Sequence, residues 1–293
     1  MRLEEGVALA RFTTLGTGGD ARAFARPESV AEVEELLRWA AERELRVATV
    51  GLGSNLLVAD AGVDALVLKL GGELAGVDSK NTRVRAGGGA ANAVVLHHVR
   101  NAGLGGFEFA CAIPGTIGGG IWMNGGAYGG DFAGVLERAL VTTTDGPGHL
   151  TPAELGLSYR HSNLRHGQVV VAAELRLSPR DPAAIKEEVR ELNARRKAAQ
   201  PTNRRTFGSV FKNPEHELSA GRMLEACGLK GHRIGGAQIS PKHANFIENA
   251  DGATTADALA LMVEARRRAQ EQYGVDLQHE VELLGELDLP PLG

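Results

Sequence analysis

The first half of the chain alternates amphipathic stretches with short apolar runs. In ESVAEVEELLRWAAERE the apolar positions recur at helical spacing, and Ser29 followed by Glu32 is a capping-box pattern that predicts where the helix begins. The runs RVATV, LLVA, ALVLKL and QVVVAAELRLS are typical of buried strands. Helices interleaved with strands predict a mixed α and β architecture.

The pattern changes near residue 180. Asp181 followed by Pro182 is a favourable helix start, and helices are predicted over 182–199, 219–227 and 255–273, the last ending at Gly274. The segment VDLQHEVELLG then alternates apolar and polar positions, which predicts a strand. The chain after residue 180 is therefore interpreted as a smaller α+β domain.

Composition excludes several classes of function. The 293 residues are 43 % hydrophobic and 23 % charged, with a net charge of −4, which argues against a nucleic-acid-binding surface. No apolar run has membrane-spanning length and the N-terminal residues lack a signal-peptide core, so we expect no membrane insertion and a cytoplasmic protein. Cys111 and Cys227 are too few for a disulfide framework, and no metal site is predicted.

Glycine is unusually abundant. The chain has 39 glycines, about twice the usual ~7 %, and eight of them fall in IPGTIGGGIWMNGGAYGG, residues 113–130. Successive backbone N–H groups in glycine-rich turns bind phosphate oxygens, which predicts a phosphate-containing ligand here and at GLGSN. Neither stretch is a P-loop, and Leu56 occupies the position of the third glycine of a dinucleotide fingerprint.

The segments TTLGTGG, VGLGSNLLV, IPGTIGG and MNGGAYGG, in this order, resemble the FAD-binding domain of vanillyl-alcohol-oxidase-like (PCMH-type) flavoproteins. Within that superfamily the chain resembles the UDP-N-acetylenolpyruvoylglucosamine reductase family. The resemblance implies a two-part α+β FAD-binding domain, residues 1–75 and 76–180, followed by a smaller α+β substrate-binding domain, residues 181–293. These boundaries leave open that the last strand of the chain belongs to the FAD-binding domain.

The resemblance also implies noncovalent FAD, because covalent members carry a histidine in the turn that here reads GLGSN. The residues matched to cofactor binding are Gly51, Leu52, Gly53, Ser54, Asn55, Pro114, Gly115, Thr116, Gly118, Gly119, Gly125 and Tyr159.

Three further motifs, LSYRHSNL, FGSVFKNP and LQHEVELLG, match the reductase family and carry its catalytic residues onto Arg160, Ser209 and Glu280. The family reduces UDP-N-acetylglucosamine-enolpyruvate to UDP-N-acetylmuramate for peptidoglycan synthesis, with NADPH as the hydride donor. The implied roles are stabilisation of the developing negative charge by Arg160 with Glu280, and proton donation by Ser209. Taken alone, Ser209 after a glycine is typical of a turn or cap residue, and Glu280 on a polar strand face is typical of a solvated carboxylate.

The resemblance further suggests substrate contacts at Lys212, Asn213, His243 and Asn245, and Arg195 lies in a basic cluster that could meet the diphosphate. Only 48 residues separate Arg160 from Ser209, and none of them is Tyr or Trp. The chain therefore resembles the shorter subtype, without the insertion that bears a substrate-covering tyrosine.

Two other functions stay open on the sequence. One is an FAD-dependent oxidase or dehydrogenase of the same superfamily, which would not need GSVFKNP. The other is a noncatalytic UDP-sugar-binding protein that kept the fold. The resemblance implies no obligate protein partner.

Overall fold

The computed structural model describes residues 3–287 and Leu289, so the outermost ends of the predicted first and last domains lie outside the described residues. The chain forms two compact units. Among the described residues, the first unit comprises 3–5, 23–52 and 64–196. The second comprises 6–22, 53–63 and the chain from 197 onward. Each unit is therefore assembled from three separate stretches of chain.

The α-helices are α1 Val30–Ala41, α2 Asn92–Asn101, α3 Ile117–Trp122, α4 Pro182–Ala199, α5 Ala220–Ala226 and α6 Thr255–Tyr273. Short 3-10 helices span Leu9–Phe12, Gly72–Ala75 and Glu108–Ala112.

The strands are β1 Leu3–Glu4, β2 Val7–Ala8, β3 Asp20–Ala25, β4 Arg46–Thr49, β5 Leu56–Val58, β6 Val63–Leu68, β7 Val77–Lys80, β8 Arg83–Gly87, β9 Leu104–Gly105, β10 Gly126–Ala127, β11 Gly130–Asp131, β12 Leu136–Thr143, β13 Gly146–Leu150, β14 Val169–Arg176, β15 Ser178–Pro179, β16 Thr206–Ser209, β17 Arg233–Ile234, β18 Ala237–Ile239, β19 Phe246–Asn249 and β20 Glu282–Leu284.

The first unit contains two sheets with separate cores. One sheet has the strand order β1-β3-β6-β4, with β4 and β6 parallel, and its core includes Leu36 and Leu37 of α1. The other has the order β13-β12-β14-β8-β7 and is antiparallel throughout. Phe107, Phe109 and Phe132 pack edge to face in its core, which is the favoured geometry for aromatic pairs.

The second unit is built around an antiparallel sheet of order β16-β19-β18-β17, with α5 and α6 contributing to the same core. In this unit β20 runs parallel to β5, with Glu282 paired to Leu56. The Thr255 hydroxyl donates to the carbonyl oxygen of Val58 at 2.6 Å, which ties α6 to β5. The last strand thus returns to chain that the sequence places within residues 1–75.

Most predicted elements are confirmed. The bounds of α4 and α6 match the predicted 182–199 and 255–273. Helix α6 is capped by Gly274, which has φ +67°. Both units mix helices and strands, as the predicted α+β class requires. Ser29 accepts a bond from the Glu32 N–H as a cap. The predicted strand over VDLQHEVELLG was wrong for most of its length, since only Glu282–Leu284 forms a strand.

The compact units follow the chain differently from the predicted linear boundaries. Residues of α4 up to 196 belong to the first unit, where Ile185 is fully buried and Val189 packs on the core that contains Phe107. Arg180, just before α4, forms ion pairs with Glu108 and Glu188. The subdivision of the FAD-binding domain at residues 75 and 76 stays a prediction.

Candidate active site

Three glycine-rich segments meet in the first unit, at the beginning of α3. The N–H of Ile117 donates to the Ala90 carbonyl oxygen at 2.9 Å, and that of Gly118 donates to the Gly88 carbonyl oxygen at 2.8 Å. An added Cβ at Gly51 would lie 2.5 Å from the Thr116 hydroxyl oxygen, so the GLGSN turn packs on the same place. We call Gly51, Gly88, Gly115, Thr116 and Gly118 the glycine junction.

Part of the glycine requirement comes from the protein itself. A Cβ at Gly88 would lie 1.8 Å from the Val170 carbonyl oxygen, and one at Gly118 would lie 3.0 Å from the Gly88 carbonyl oxygen. Side chains there would separate backbone segments that must touch. By contrast, a Cβ at Gly119 or Gly125 would meet only ordinary contacts of 3.5 Å or more. The glycine junction is therefore first a way of packing main chain on main chain.

The junction also fits a bound phosphate group. The backbone N–H groups of Gly51 and Leu52 have no hydrogen-bond partner among the residues that the structure describes. Adjacent N–H donors in a glycine turn suit the oxygens of a diphosphate, and FAD contains one. Thr116 caps α3 by accepting from the Gly119 N–H, while Pro114 just before the junction is exposed. These residues would hold FAD, as the resemblance implies.

Asn124 organises the chain beyond α3, and the sequence analysis did not identify it. It is buried, with φ +40°, and its Nδ2 donates to the Ser158 carbonyl oxygen at 2.9 Å. Its Oδ1 accepts from the Ala133 N–H at 2.9 Å. One side chain therefore ties the glycine-rich segment to the segment that bears Arg160. An Asn before two glycines, in MNGG, is the signal that could have found it.

Arg160 lies in a tight turn of the first unit. The N–H and C=O groups of Ser158 and His161 bond each other at 3.1 Å, which places Tyr159 and Arg160 at the two central positions. Arg160 has φ +53°, a left-handed conformation that strains a side chain of this size. Its Nη2 donates to the Gly126 carbonyl oxygen at 2.8 Å, and its guanidinium lies 5.2 Å from the Tyr159 ring centroid. The turn thus fixes the direction of the cation.

Tyr128 sits at the tip of the β10–β11 hairpin, where Ala127 pairs with Gly130. It too has a positive φ, +52°, and its side chain is 40 % exposed. The Arg195 guanidinium lies 4.9 Å from its ring centroid. Arg195, predicted for the substrate diphosphate, is therefore held by a cation–π contact in the first unit.

In the second unit the segments that bear Ser209 and Glu280 run side by side. Ser209 ends β16, the Glu280 N–H donates to the Val210 carbonyl oxygen at 2.8 Å, and the Lys212 N–H donates to the Gln278 carbonyl oxygen at 2.9 Å. The side chains of Ser209 and Glu280 are both half-buried. Two predicted catalytic residues, 71 positions apart in the sequence, therefore come from adjacent backbone.

Residues 53–55 of the GLGSN turn contact the segments that bear Ser209 and Glu280. The Asn55 Nδ2 donates to the Glu280 carbonyl oxygen at 3.1 Å, and the Glu282 N–H donates to the Asn55 carbonyl oxygen at 3.0 Å. A Cβ at Gly208 would lie 3.2 Å from the Ser54 carbonyl oxygen, and one at Gly53 would lie 1.9 Å from that of Phe12. Asn55, predicted to bind the cofactor, thus holds the backbone of Glu280.

Two of the predicted substrate contacts, His243 and Asn245, also have structural contacts within the second unit. Asn245 is buried, and its amide both donates to the Phe211 carbonyl oxygen at 2.8 Å and accepts from the Phe211 N–H at 2.9 Å. The centroids of the His243 and Phe246 rings lie 5.0 Å apart. Burial of the His243 ring, with the charge of Lys230 nearby, lowers the pKa of His243. Both residues brace the second unit, and their contact with the uridine part of the substrate stays a prediction.

Asn213 and Lys212 remain available to the substrate interpretation. Asn213 is exposed, and its Oδ1 accepts from the Ala220 N–H at 3.1 Å at the start of α5. Lys212 is half-buried beside the Ser209 segment.

Within the described residues no group of three or more His, Cys, Asp or Glu could hold a metal. No described helix is long and apolar enough to cross a membrane.

Comparisons with known proteins agree with this arrangement. A family model described as UDP-N-acetylenolpyruvoylglucosamine reductase, C-terminal domain, matches residues 200–284, and one described as FAD binding domain matches residues 21–146. The UDP-N-acetylenolpyruvoylglucosamine reductase 2 of Symbiobacterium thermophilum is 44 % identical over 286 residues, and the match covers 97 % of this chain and 92 % of the relative. That of Lactobacillus delbrueckii subsp. bulgaricus is 42 % identical over 286 residues, covering 97 % and 96 %.

A solved structure is similar over the same length. The UDP-N-acetylenolpyruvylglucosamine reductase of Thermus caldophilus superposes with a TM-score of 0.85 at 37 % identity, covering 97 % of this chain and 99 % of that chain. The predicted resemblance to this reductase family, with an FAD-binding domain, is confirmed. From its two matched domains and its full-length relatives, the chain belongs to the UDP-N-acetylenolpyruvoylglucosamine reductase family.

Proposed function

We propose that this chain catalyses the NADPH-dependent reduction of UDP-N-acetylglucosamine-enolpyruvate to UDP-N-acetylmuramate, a step of peptidoglycan precursor synthesis. The observation that carries the proposal is the pairing of the Ser209 and Glu280 segments within the matched C-terminal domain. An oxidase of the same superfamily has no need of this pair. The reaction takes place in the cytoplasm, where NADPH and the UDP-sugar are dissolved metabolites.

When bound and reduced by NADPH, FAD would supply the hydride for the enolpyruvyl double bond. Addition of hydride to one carbon of that bond leaves negative charge on the carbon beside the carboxylate. Arg160 is the residue we assign to this charge, because its guanidinium is permanently cationic and its direction is set by Gly126 and Tyr159. The strained turn is consistent with a preorganised cation.

A proton must then reach the same carbon, and we assign its donation to Ser209. A serine hydroxyl is a poor acid, so its surroundings must favour the transfer. Glu280, assigned with Arg160 to the charged intermediate, lies close to this donor, since Asn55 and Val210 hold its backbone beside the Ser209 segment. The products balance as one hydride from NADPH and one proton, which saturate the double bond and leave NADP⁺.

Substrate contacts are assigned by exposure and charge. Lys212, half-buried beside the Ser209 segment, and the exposed Asn213 are candidates for the sugar part of the substrate. Arg195 with Tyr128 is the candidate for the diphosphate, because a stacked guanidinium is already ordered before an anion binds. NADPH and the enolpyruvyl substrate would use the same site in turn.

An anaerobic flavin experiment tests the proposal. NADPH should bleach the visible absorbance of the purified flavoprotein, and UDP-N-acetylglucosamine-enolpyruvate should restore it. The variant Ser209→Ala should still be bleached by NADPH but should not be reoxidised by the substrate. Ser209→Cys, with a more acidic side chain, should recover part of the reoxidation.

The matched control is Ser178→Ala, since Ser178 is exposed on β15. It should bleach and reoxidise like the parent. Equal reoxidation rates in Ser209→Ala and the parent would remove Ser209 from the mechanism. Rapid reoxidation of the parent by oxygen, with no response to the enolpyruvyl substrate, would favour an oxidase or dehydrogenase. Tight UDP-sugar binding by protein that takes up no FAD would favour the noncatalytic alternative.

A further inference from the structure

A lysine stands where two parallel strands of the first unit end. In the pairing of β4 with β6, Thr49 lies opposite Leu68, so Lys69 and Val50 are the first residues beyond the pair. The Lys69 N–H donates to the Ala25 carbonyl oxygen at 3.0 Å, which fixes its backbone at the end of β3 as well. Ligands of α/β sheets commonly bind at the carboxyl ends of parallel strands.

The side chain of Lys69 reaches the GLGSN turn. Its Nζ donates to the Gly51 carbonyl oxygen at 2.6 Å, and the residue is half-buried. Withdrawing an ammonium from water has a free-energy cost, which this charged hydrogen bond offsets in part. Burial and the nearby charge of Arg26 lower the pKa of Lys69. The charges of Lys69 and Arg26 together favour an anion near Lys69.

The hydrogen bond has a geometric consequence for the next peptide group. In a trans peptide the C=O of one residue and the N–H of the following residue point in opposite directions. Because Lys69 holds the Gly51 carbonyl on one side of the turn, the Leu52 N–H is directed to the other side. That N–H has no partner within the described part of the chain, and Leu52 is 44 % exposed.

We propose that Lys69 is a positioning residue for the FAD diphosphate, which holds the Gly51 carbonyl so that the Leu52 N–H is presented to a phosphate oxygen. The proposal rests on FAD as the cofactor of the proposed function. Lys69 acts through the turn and through its charge, and takes no part in hydride or proton transfer.

The test is the affinity of FAD for the full-length apoprotein, followed by quenching of flavin fluorescence. Lys69→Met keeps most of the side-chain length but removes the charge and the donor, and the Kd for FAD should rise about 10- to 100-fold. Lys69→Arg should restore most of the affinity. The control Lys80→Met removes an exposed lysine at the end of β7 and should leave Kd within about twofold of the parent.

Salt separates a charge effect from simple bracing. The Kd of the parent should rise with salt concentration, and that rise should be shallower in Lys69→Met, because one cation near the phosphates is gone. A parent-like Kd in Lys69→Met would overturn the proposal. So would equal losses in Lys69→Met and Lys69→Arg that follow a lower melting temperature of the apoprotein.

The proposal and the function fail differently. If the FAD-saturated parent is not reoxidised by the enolpyruvyl substrate, the proposed function fails while the FAD affinities still decide the part of Lys69.

Discussion

The backbone N–H of Glu280 donates to the carbonyl oxygen of Val210 at 2.8 Å. The Val210 N–H in turn donates to the Asn245 carbonyl oxygen at 2.9 Å. The chain that follows Ser209 is therefore held between two neighbours, one of which carries Glu280.

Asn245→Ala should lower the free energy of unfolding by about 2–4 kcal/mol, because it leaves the buried N–H and C=O of Phe211 without their partners. Urea unfolding measures the change. The control Asn203→Ala, at an exposed position, should change it by less than about 0.5 kcal/mol. Equal stabilities of the two variants would show that the amide of Asn245 does not brace this segment.

Gly51→Ala should weaken FAD binding, because its Cβ would lie 2.5 Å from the Thr116 hydroxyl and would push the GLGSN turn away from the glycine junction. Flavin content after purification and the Kd for FAD measure the effect. Gly71→Ala is the matched control, since an added Cβ there has no atom within 4 Å. If Gly51→Ala keeps the parent Kd for FAD, the GLGSN turn can move without loss of FAD affinity.

Glu44→Gly should stabilise the fold by about 1 kcal/mol, because Glu44 follows α1 with φ +51° and glycine adopts that conformation without strain. Thermal unfolding should show a higher Tm with unchanged activity. The opposite change, Gly274→Ala at φ +67° after α6, should destabilise by a similar amount. If the Tm of Glu44→Gly and the Tm of Gly274→Ala shift in the same direction, backbone strain does not explain the effect.

Glu137 should stay ionised to unusually low pH. The bidentate bond from Arg83, with help from Arg176, lowers its pKa from 4.5 to about 2. Because the folded-state pKa is the lower one, the stabilisation is fully present above the unfolded-state value and is lost as pH falls from 4.5 to about 2. Carboxyl ¹³C NMR titration measures the pKa.

Arg83→Met should raise the pKa of Glu137 and leave that of Glu264 unchanged. Arg267→Met should do the reverse, since Arg267 is the main reason that the pKa of Glu264 is about 2. If Arg83→Met leaves the pKa of Glu137 at its parent value, the ion pair is not formed in solution.

The sequence predicted the elements that depend on local chemistry. Helical periodicity, the cap at Ser29 and the stop at Gly274 are local signals, and α1, α4 and α6 begin and end where those signals lie. The alternation in VDLQHEVELLG is also real, since Leu277 and Val281 are buried. A strand needs a continuous ladder as well, and only Glu282–Leu284 forms one, whereas Gln278 and Glu280 bond the 210–212 backbone without forming a strand.

The candidate site was recovered as residue types in matched motifs, but Asn124 was missed, and the structural contacts of Asn55 and Asn245, predicted only as ligand contacts, were not foreseen. Asn124, Asn55 and Asn245 act by bonding backbone that is distant in the sequence, which no local pattern records. Lys69 did leave a signal, since a lysine after the apolar run ALVL is costly to bury without a use. The glycine excess was interpreted as ligand binding, whereas Gly88 and Gly118 serve contacts within the protein.

The discontinuous make-up of the second unit bears on how the chain folds as it is synthesised. Residues 6–22 have their partners in the same unit among residues 53–63 and from 197 onward. At about 5–20 residues per second, roughly ten to thirty-five seconds separate the emergence of these early residues from that of the third stretch. The nascent chain must therefore keep an unfinished N-terminal segment from aggregating throughout that interval. For the same reason, neither unit could be expressed alone as one uninterrupted fragment.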